Sequence, residues 1–171
     1  MGRLMGMLLI LTGCVGMLFS WQEKKKNQFA VMRAWIRLFS RWEYALTKEQ
    51  MRLYDFLESC EGEFPELSGL LEAVRERLQQ NRYPSGVIVW QQVLKQQRRE
   101  LLLEPEAFRI LSDAADGFFG RSREACARCI KACRERLEEE LRKEKSETDR
   151  RWKVYMPVGM LGGVILIILL V

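Results

Sequence analysis

The sequence predicts an all-α protein, a helical bundle between two apolar terminal helices. Three observations lead there. Apolar residues between positions 22 and 153 recur at steps of three and four, and no stretch sustains the alternation of a strand. The 28 basic and 23 acidic residues, Arg3 apart, all fall inside that central stretch. The two ends are long runs without charge.

From Leu4 to Gln22 there is no Lys, Arg, Asp or Glu, and Tyr155 to Val171 is equally uncharged, closing in the aliphatic run Val164 to Val171. As helices, either run covers about 25 Å, close to a bilayer's hydrocarbon thickness of about 30 Å. Trp21 stands at the first junction with charge, and Trp152 and Tyr155 at the second, where interfacial anchors belong. Transmembrane helices are therefore expected at 4–21 and 154–171, flanking a helical cytoplasmic domain at 22–153. A mean hydropathy of -0.19 conceals this pattern by averaging apolar ends with a polar middle.

The first segment has a competing reading. Leu11-Thr12-Gly13-Cys14 matches a bacterial lipobox, which would lipidate Cys14 and leave an externally facing lipoprotein with a helical binding domain. Against it, Val15 to Phe19 stay apolar where a mature lipoprotein turns polar, and Arg3 is the lone basic residue ahead of the segment.

Charge sets the expected orientation. Lys24, Lys25, Lys26, Arg33, Arg37 and Arg41 follow the first segment, and Arg142, Lys143, Lys145, Arg150, Arg151 and Lys153 precede the second. Both junctions place the central domain on the cytoplasmic side. The five cysteines, Cys14, Cys60, Cys126, Cys129 and Cys133, form no disulfide framework and fit a reducing compartment.

The helices follow in order. Phe29, Met32, Ile36, Phe39, Trp42 and Leu46 mark an amphipathic first helix. Thr47 to Gln50 has the form of a capping box opening the next, through Met51, Leu53, Tyr54 and Leu57. Pro65 opens another through Leu67, Leu70, Leu71, Val74 and Leu78. Asn81 to Gly86 is a turn. Val87 to Leu94, around Trp90, reads as helix because of the glutamine-rich continuation to Gln97, although Val87-Ile88-Val89 has strand propensity. Pro105 opens a helix to Gly117, Gly120 turns the chain, and Ser122 caps a long charged helix to Lys153.

Several chemistries have no support. Histidine is absent, which removes the commonest general base and metal ligand. No phosphate-cradling glycine loop or nucleophile elbow occurs. The chain is expected to be non-enzymatic and without a cofactor. Cys126, Cys129 and Cys133 share one helix face and are weak candidates for a thiolate metal site, with Cys60 needed as fourth ligand. The same residues continue, with Ile130, Leu137 and Leu141, as a core-facing stripe in which cysteine acts as a small hydrophobe; this reading is preferred.

The basic juxtamembrane group, Lys24 to Lys26 with Arg33, Arg37 and Arg41, reads as lipid-headgroup contact rather than nucleic-acid binding, since no nucleic-acid motif accompanies it. Gly159 and Gly163, with Gly162 beside them, form a small-xxx-small pair. Such pairs pack membrane helices on each other, on a partner or in a homo-oligomer.

The layout resembles the stage III sporulation protein AB family. Trp42-Glu43-Tyr44 with Thr47 is similar to that family's Ile-x-Tyr-x-x-Thr segment, and Trp90 with Leu94 to its Trp-x-x-x-Leu helix. Phe119-Gly120-Arg121-Ser122 resembles its Leu-Gly-Arg-Ser turn, and Tyr155 through Leu170 its closing segment. Lys48-Glu49 and Arg123 depart from the family's Pro-Leu and Asp. The resemblance implies a part in endospore formation, in the mother-cell membrane, within a secretion-like channel joining mother cell to forespore. It further implies a domain like the F-type platform protein of type II secretion, facing the stage III sporulation ATPase, protein AA, and other channel components.

Overall fold

The computed structural model describes the backbone of residues 2–80, 85–98, 101 and 103–170, and side chains within 20–153. Its described residues are helical, with no strand among them. The chain divides into two units, 27–141 and the pair of segments 1–26 and 142–171.

The first unit begins on α1 (Gly2–Tyr44), whose inward residues are Met32, Trp35, Leu38, Phe39 and Trp42, all at most 2% exposed. The expected periodic face is present, with Phe29 and Ile36 on its half-buried flank. The helix widens at its end into a π-type turn, Ala45–Glu49. Thr47 explains this turn. Its hydroxyl donates to the Glu43 carbonyl at 2.8 Å and so competes with the backbone ladder. The expected cap at Thr47 is thus overturned: it ends one helix instead of starting the next. Gln50 then takes a left-handed φ of 51°, and α2 (Leu53–Ser59) starts behind Arg52 without a side-chain cap.

Pro65 opens a short 3-10 turn, Pro65–Leu67, that leads into α3 (Ser68–Gln79). The helix expected from Pro65 is therefore tighter in its first turn. The turn expected at 81–86 lies largely outside the described residues. α4 (Gly86–Gln97) confirms the helical reading of the Val87 stretch. The Ser85 hydroxyl accepts from Val87 N–H at 3.2 Å, an N-cap, and Val89, Trp90, Val93 and Leu94 bury one helical face.

The helix expected from Pro105 to Gly117 is two: α5 (Pro105–Asp113) and α6 (Ala115–Phe119), broken at Ala114. α6 stops at once, since Gly120 is extended with ψ 162°. The Gly117 carbonyl is consequently available, and the Trp42 indole N–H donates to it at 3.1 Å. Trp90 does the same to Leu111 at 2.8 Å. Phe118 is the hub between these tryptophans, stacked on Trp42 at 5.8 Å and tilted against Trp90 at 4.6 Å. α7 (Arg123–Leu170) closes the unit with Cys126, Ile130, Cys133, Leu137 and Leu141 inward. Ser122 caps it as expected, its hydroxyl accepting from Ala125 N–H at 3.4 Å.

The second unit holds the helical ends of α1 and α7. Lys25 Nζ lies 3.1 Å from Glu144 and ties the two segments together. Among the described residues no helix is long and apolar enough to cross a membrane. The spans expected at 4–21 and 154–171 fall outside the residues whose side chains are described.

Candidate functional site

Lys24, Lys25 and Lys26 belong to the unit of the chain ends, whereas Arg33, Arg37 and Arg41 belong to the central unit. Lys24, Lys26 and Arg33 are exposed. Arg37 reaches Glu66 at 3.6 Å, and Arg41 reaches Glu49 at 3.6 Å. The arginines beyond Arg33 therefore brace α1 against neighbouring carboxylates.

Charge is divided unevenly between the units. The ends, 1–26 with 142–171, contain ten basic and four acidic residues; 27–141 contains eighteen and nineteen. The whole positive excess thus lies with the segments that carry the apolar runs. Glycines Gly159, Gly162 and Gly163 and the lipobox Cys14 lie outside the residues whose side chains are described.

Cys126, Cys129 and Cys133 line a seam where α7 meets α5 and α6. Cys126 Sγ lies 3.7 Å from the Asp116 carbonyl, and Cys129 Sγ 3.8 Å from that of Asp113. Burial, then the neighbouring Cys129, pushes the Cys133 thiol up to about 12. Burial, followed by Glu63, pushes Cys60 up to about 11. Cys129 is raised too, again first by burial. Thiols held in this direction are poor nucleophiles and bind metal at the expense of a proton. Among the described residues no three such side chains are placed to hold a metal ion.

Two surface depressions were not anticipated. One, of about 130 Å³, lies between the turn after α2 and α3, with Leu57, Cys60 and Leu71 below and Glu61, Glu72 and Arg75 at its rim. Glu61 pairs with Arg75 there. The other is an open groove of about 400 Å³ lined by Arg77 of α3 and Gln92, Lys95 and Gln96 of α4. Its signal in the sequence is the glutamine-rich run that also favours a helix there.

The family model for stage III sporulation protein AB matches residues 3–171. The chain belongs to that family. No curated protein and no solved structure matches it. The residues that carry the family likeness mostly hold the fold. Trp42, Trp90 and Leu94 are core. A Cβ on Gly120 would come within 2.6 Å of the Asp116 carbonyl and 2.8 Å of Cys126 Sγ, so the Gly-Arg-Ser turn has no room for another residue. Ser122 is a cap. Tyr44 is 51% exposed and Arg121 is exposed; these two face outward.

Proposed function

We propose that the chain is a non-catalytic membrane platform of the endospore-forming apparatus. Family membership gives the sporulation-related role. The observation that carries the finer reading is the segregation of charge. A near-neutral helical domain is joined to apolar ends through a strongly basic collar. Such a collar keeps its side of a protein in the cytoplasm and against anionic headgroups. The domain, held in the mother-cell membrane with its face to the cytoplasm, docks the stage III sporulation ATPase, protein AA, and other channel components.

Labelling separates the orientations. A cysteine at exposed Gln91, probed with a membrane-impermeant maleimide in intact and permeabilised cells, should react after permeabilisation alone. Labelling in intact cells would sink the cytoplasmic platform. The second reading, a lipoprotein, rests on Leu11-Thr12-Gly13-Cys14. It requires labelled fatty acid on the wild type that disappears in Cys14→Ser.

A further inference from the structure

The groove between α3 and α4 is distinctive for what lines it. Arg77, Gln92, Lys95 and Gln96 supply a guanidinium, an ammonium and two amides, and no carboxylate. Arg77 Nη2 donates to Gln96 Oε1 at 2.6 Å. That bond uses the acceptor end of Gln96 and leaves its NH₂ as the free end. The groove is shallow and open, and it presents two positive charges, the Gln96 amide donor and the Gln92 amide, in a central unit that has almost no net charge. Its natural complement is a carboxylate, since charge-assisted bonds to Arg and Lys are the strong ones.

An apolar element adjoins it. Ile88 is 37% exposed, one of three large hydrophobic residues that stand out at the surface among the described residues. It lies one and two helical turns before Gln92 and Gln96, at steps of four, on the same outward face of α4. The opposite face, Val89, Trp90, Val93 and Leu94, is fixed in the core. The outward face is thus presented on a rigid support.

We infer that this groove docks an acidic amphipathic segment of a protein partner, with carboxylates on Lys95, Arg77 and the two amides and an apolar side chain on Ile88. The inference deepens the platform reading by naming the docking face and the chemistry of what it receives.

The test uses the full chain in phosphatidylcholine nanodiscs, whose zwitterionic surface does not itself attract the probe. The probe is a fluorescent helical peptide with glutamates at successive i, i+4 steps and one leucine. A twin peptide carries glutamine in their place. The glutamate peptide should bind at least tenfold more tightly than its twin, less so as salt rises. Lys95→Glu alone, or with Arg77→Glu, should lower that affinity at least tenfold. The same charge change at exposed Arg128 and Lys131 of α7 should leave it within twofold. Equal losses from both pairs would mean diffuse attraction and overturn the groove, as would a wild type that does not distinguish the peptides. Retention of the purified sporulation ATPase by the same nanodiscs separates this inference from the platform reading. Equal retention by wild type and Lys95→Glu removes the groove and leaves the platform. No retention by wild type, with the peptide results intact, removes the platform and leaves the groove.

Discussion

The two long helices face the same core with different materials. α1 presents Met32, Trp35, Leu38, Phe39 and Trp42; α7 presents Cys126, Ile130, Cys133, Leu137 and Leu141. The aromatic side makes few, large contacts in fixed orientations, and two core indoles, Trp42 of α1 and Trp90 of α4, donate to backbone carbonyls. The α7 side is smaller and closer, admitting no Cβ at Gly117, where one would meet Ile130 at 2.6 Å. Around its edge α7 is held by ion pairs, Arg134 to Glu43 at 3.4 Å and Arg136 to Asp113 at 3.1 Å. The contrast teaches that stability should depend strongly on the aromatic side and respond to pH and salt on the other.

The largest effect should come from Phe118, which touches Phe39, Trp42 and Trp90 together. Phe118→Ala removes all three ring contacts and leaves a cavity, at a cost of about 3–5 kcal/mol. Chemical denaturation of the full chain should show the midpoint falling accordingly. A loss as small as that from a surface substitution would mean that the aromatic side is not what holds the unit.

The α7 side should show itself in alkali. Cys133 lies at about 12 in the folded chain against an ordinary 9.0. Below pH 9 both folded and unfolded thiols are protonated, and this site adds no pH dependence. Above it the unfolded chain releases the proton while the folded chain keeps it, so stability falls as pH rises. Between pH 9 and 11 the loss is on the order of 2 kcal/mol. Cys133→Ala should flatten that slope relative to wild type; an unchanged slope would show that burial of this thiol is not its source.

Much of this arrangement was legible in the sequence. Steps of three and four mark the inward faces of α1, α3 and α7, because a helix must bury one stripe and the periodicity records it. Ser122 and Pro105 also behaved as their local chemistry dictates. Thr47 misled, since a Ser/Thr four residues after a helical carbonyl either caps or back-bonds, and which one depends on where the preceding helix runs out. The break at Ala114 was hidden for a related reason. Nothing local forbids a straight helix to Gly117, and the gain from breaking it, a Leu111 carbonyl that accepts from the Trp90 indole, comes from 21 residues away. The groove of Arg77, Gln92, Lys95 and Gln96 was hidden because its residues come from two helices. Periodicity within one helix cannot reveal that pairing.

The tryptophans allow a finer comparison within the aromatic side. Trp42 and Trp35 are both buried, but Trp42 donates to Gly117 while the Trp35 indole nitrogen has no partner among the described residues. Trp42→Phe strands a buried carbonyl, at about 1–3 kcal/mol. Trp35→Phe removes a donor that was already unsatisfied, so its cost should be smaller, coming from shape alone. Thermal unfolding of the two variants side by side checks the order. Equal losses would mean that ring volume, not the hydrogen bond, decides both.

The smallest effect belongs to the ionic rim of α7. Arg136 is 41% exposed at its side chain, and its partners Asp113 and Glu106 are 51% and 45% exposed. Solvent screens such pairs, and a pair of this kind contributes about 0.2–1 kcal/mol. Arg136→Ala should therefore lower stability by less than 1 kcal/mol, and the difference should vanish near 1 M salt, where screening acts within about 3 Å. Arg134 is the sharper comparison, for its side chain is 26% exposed and it bonds both Glu43 of α1 and Glu138 of its own helix. A double-mutant cycle over Arg134 and Glu43 should give a larger coupling than one over Arg136 and Asp113, and one that survives salt better. Indistinguishable couplings would place both arginines on the solvated surface and leave the thiol seam and Ile130 as what holds α7.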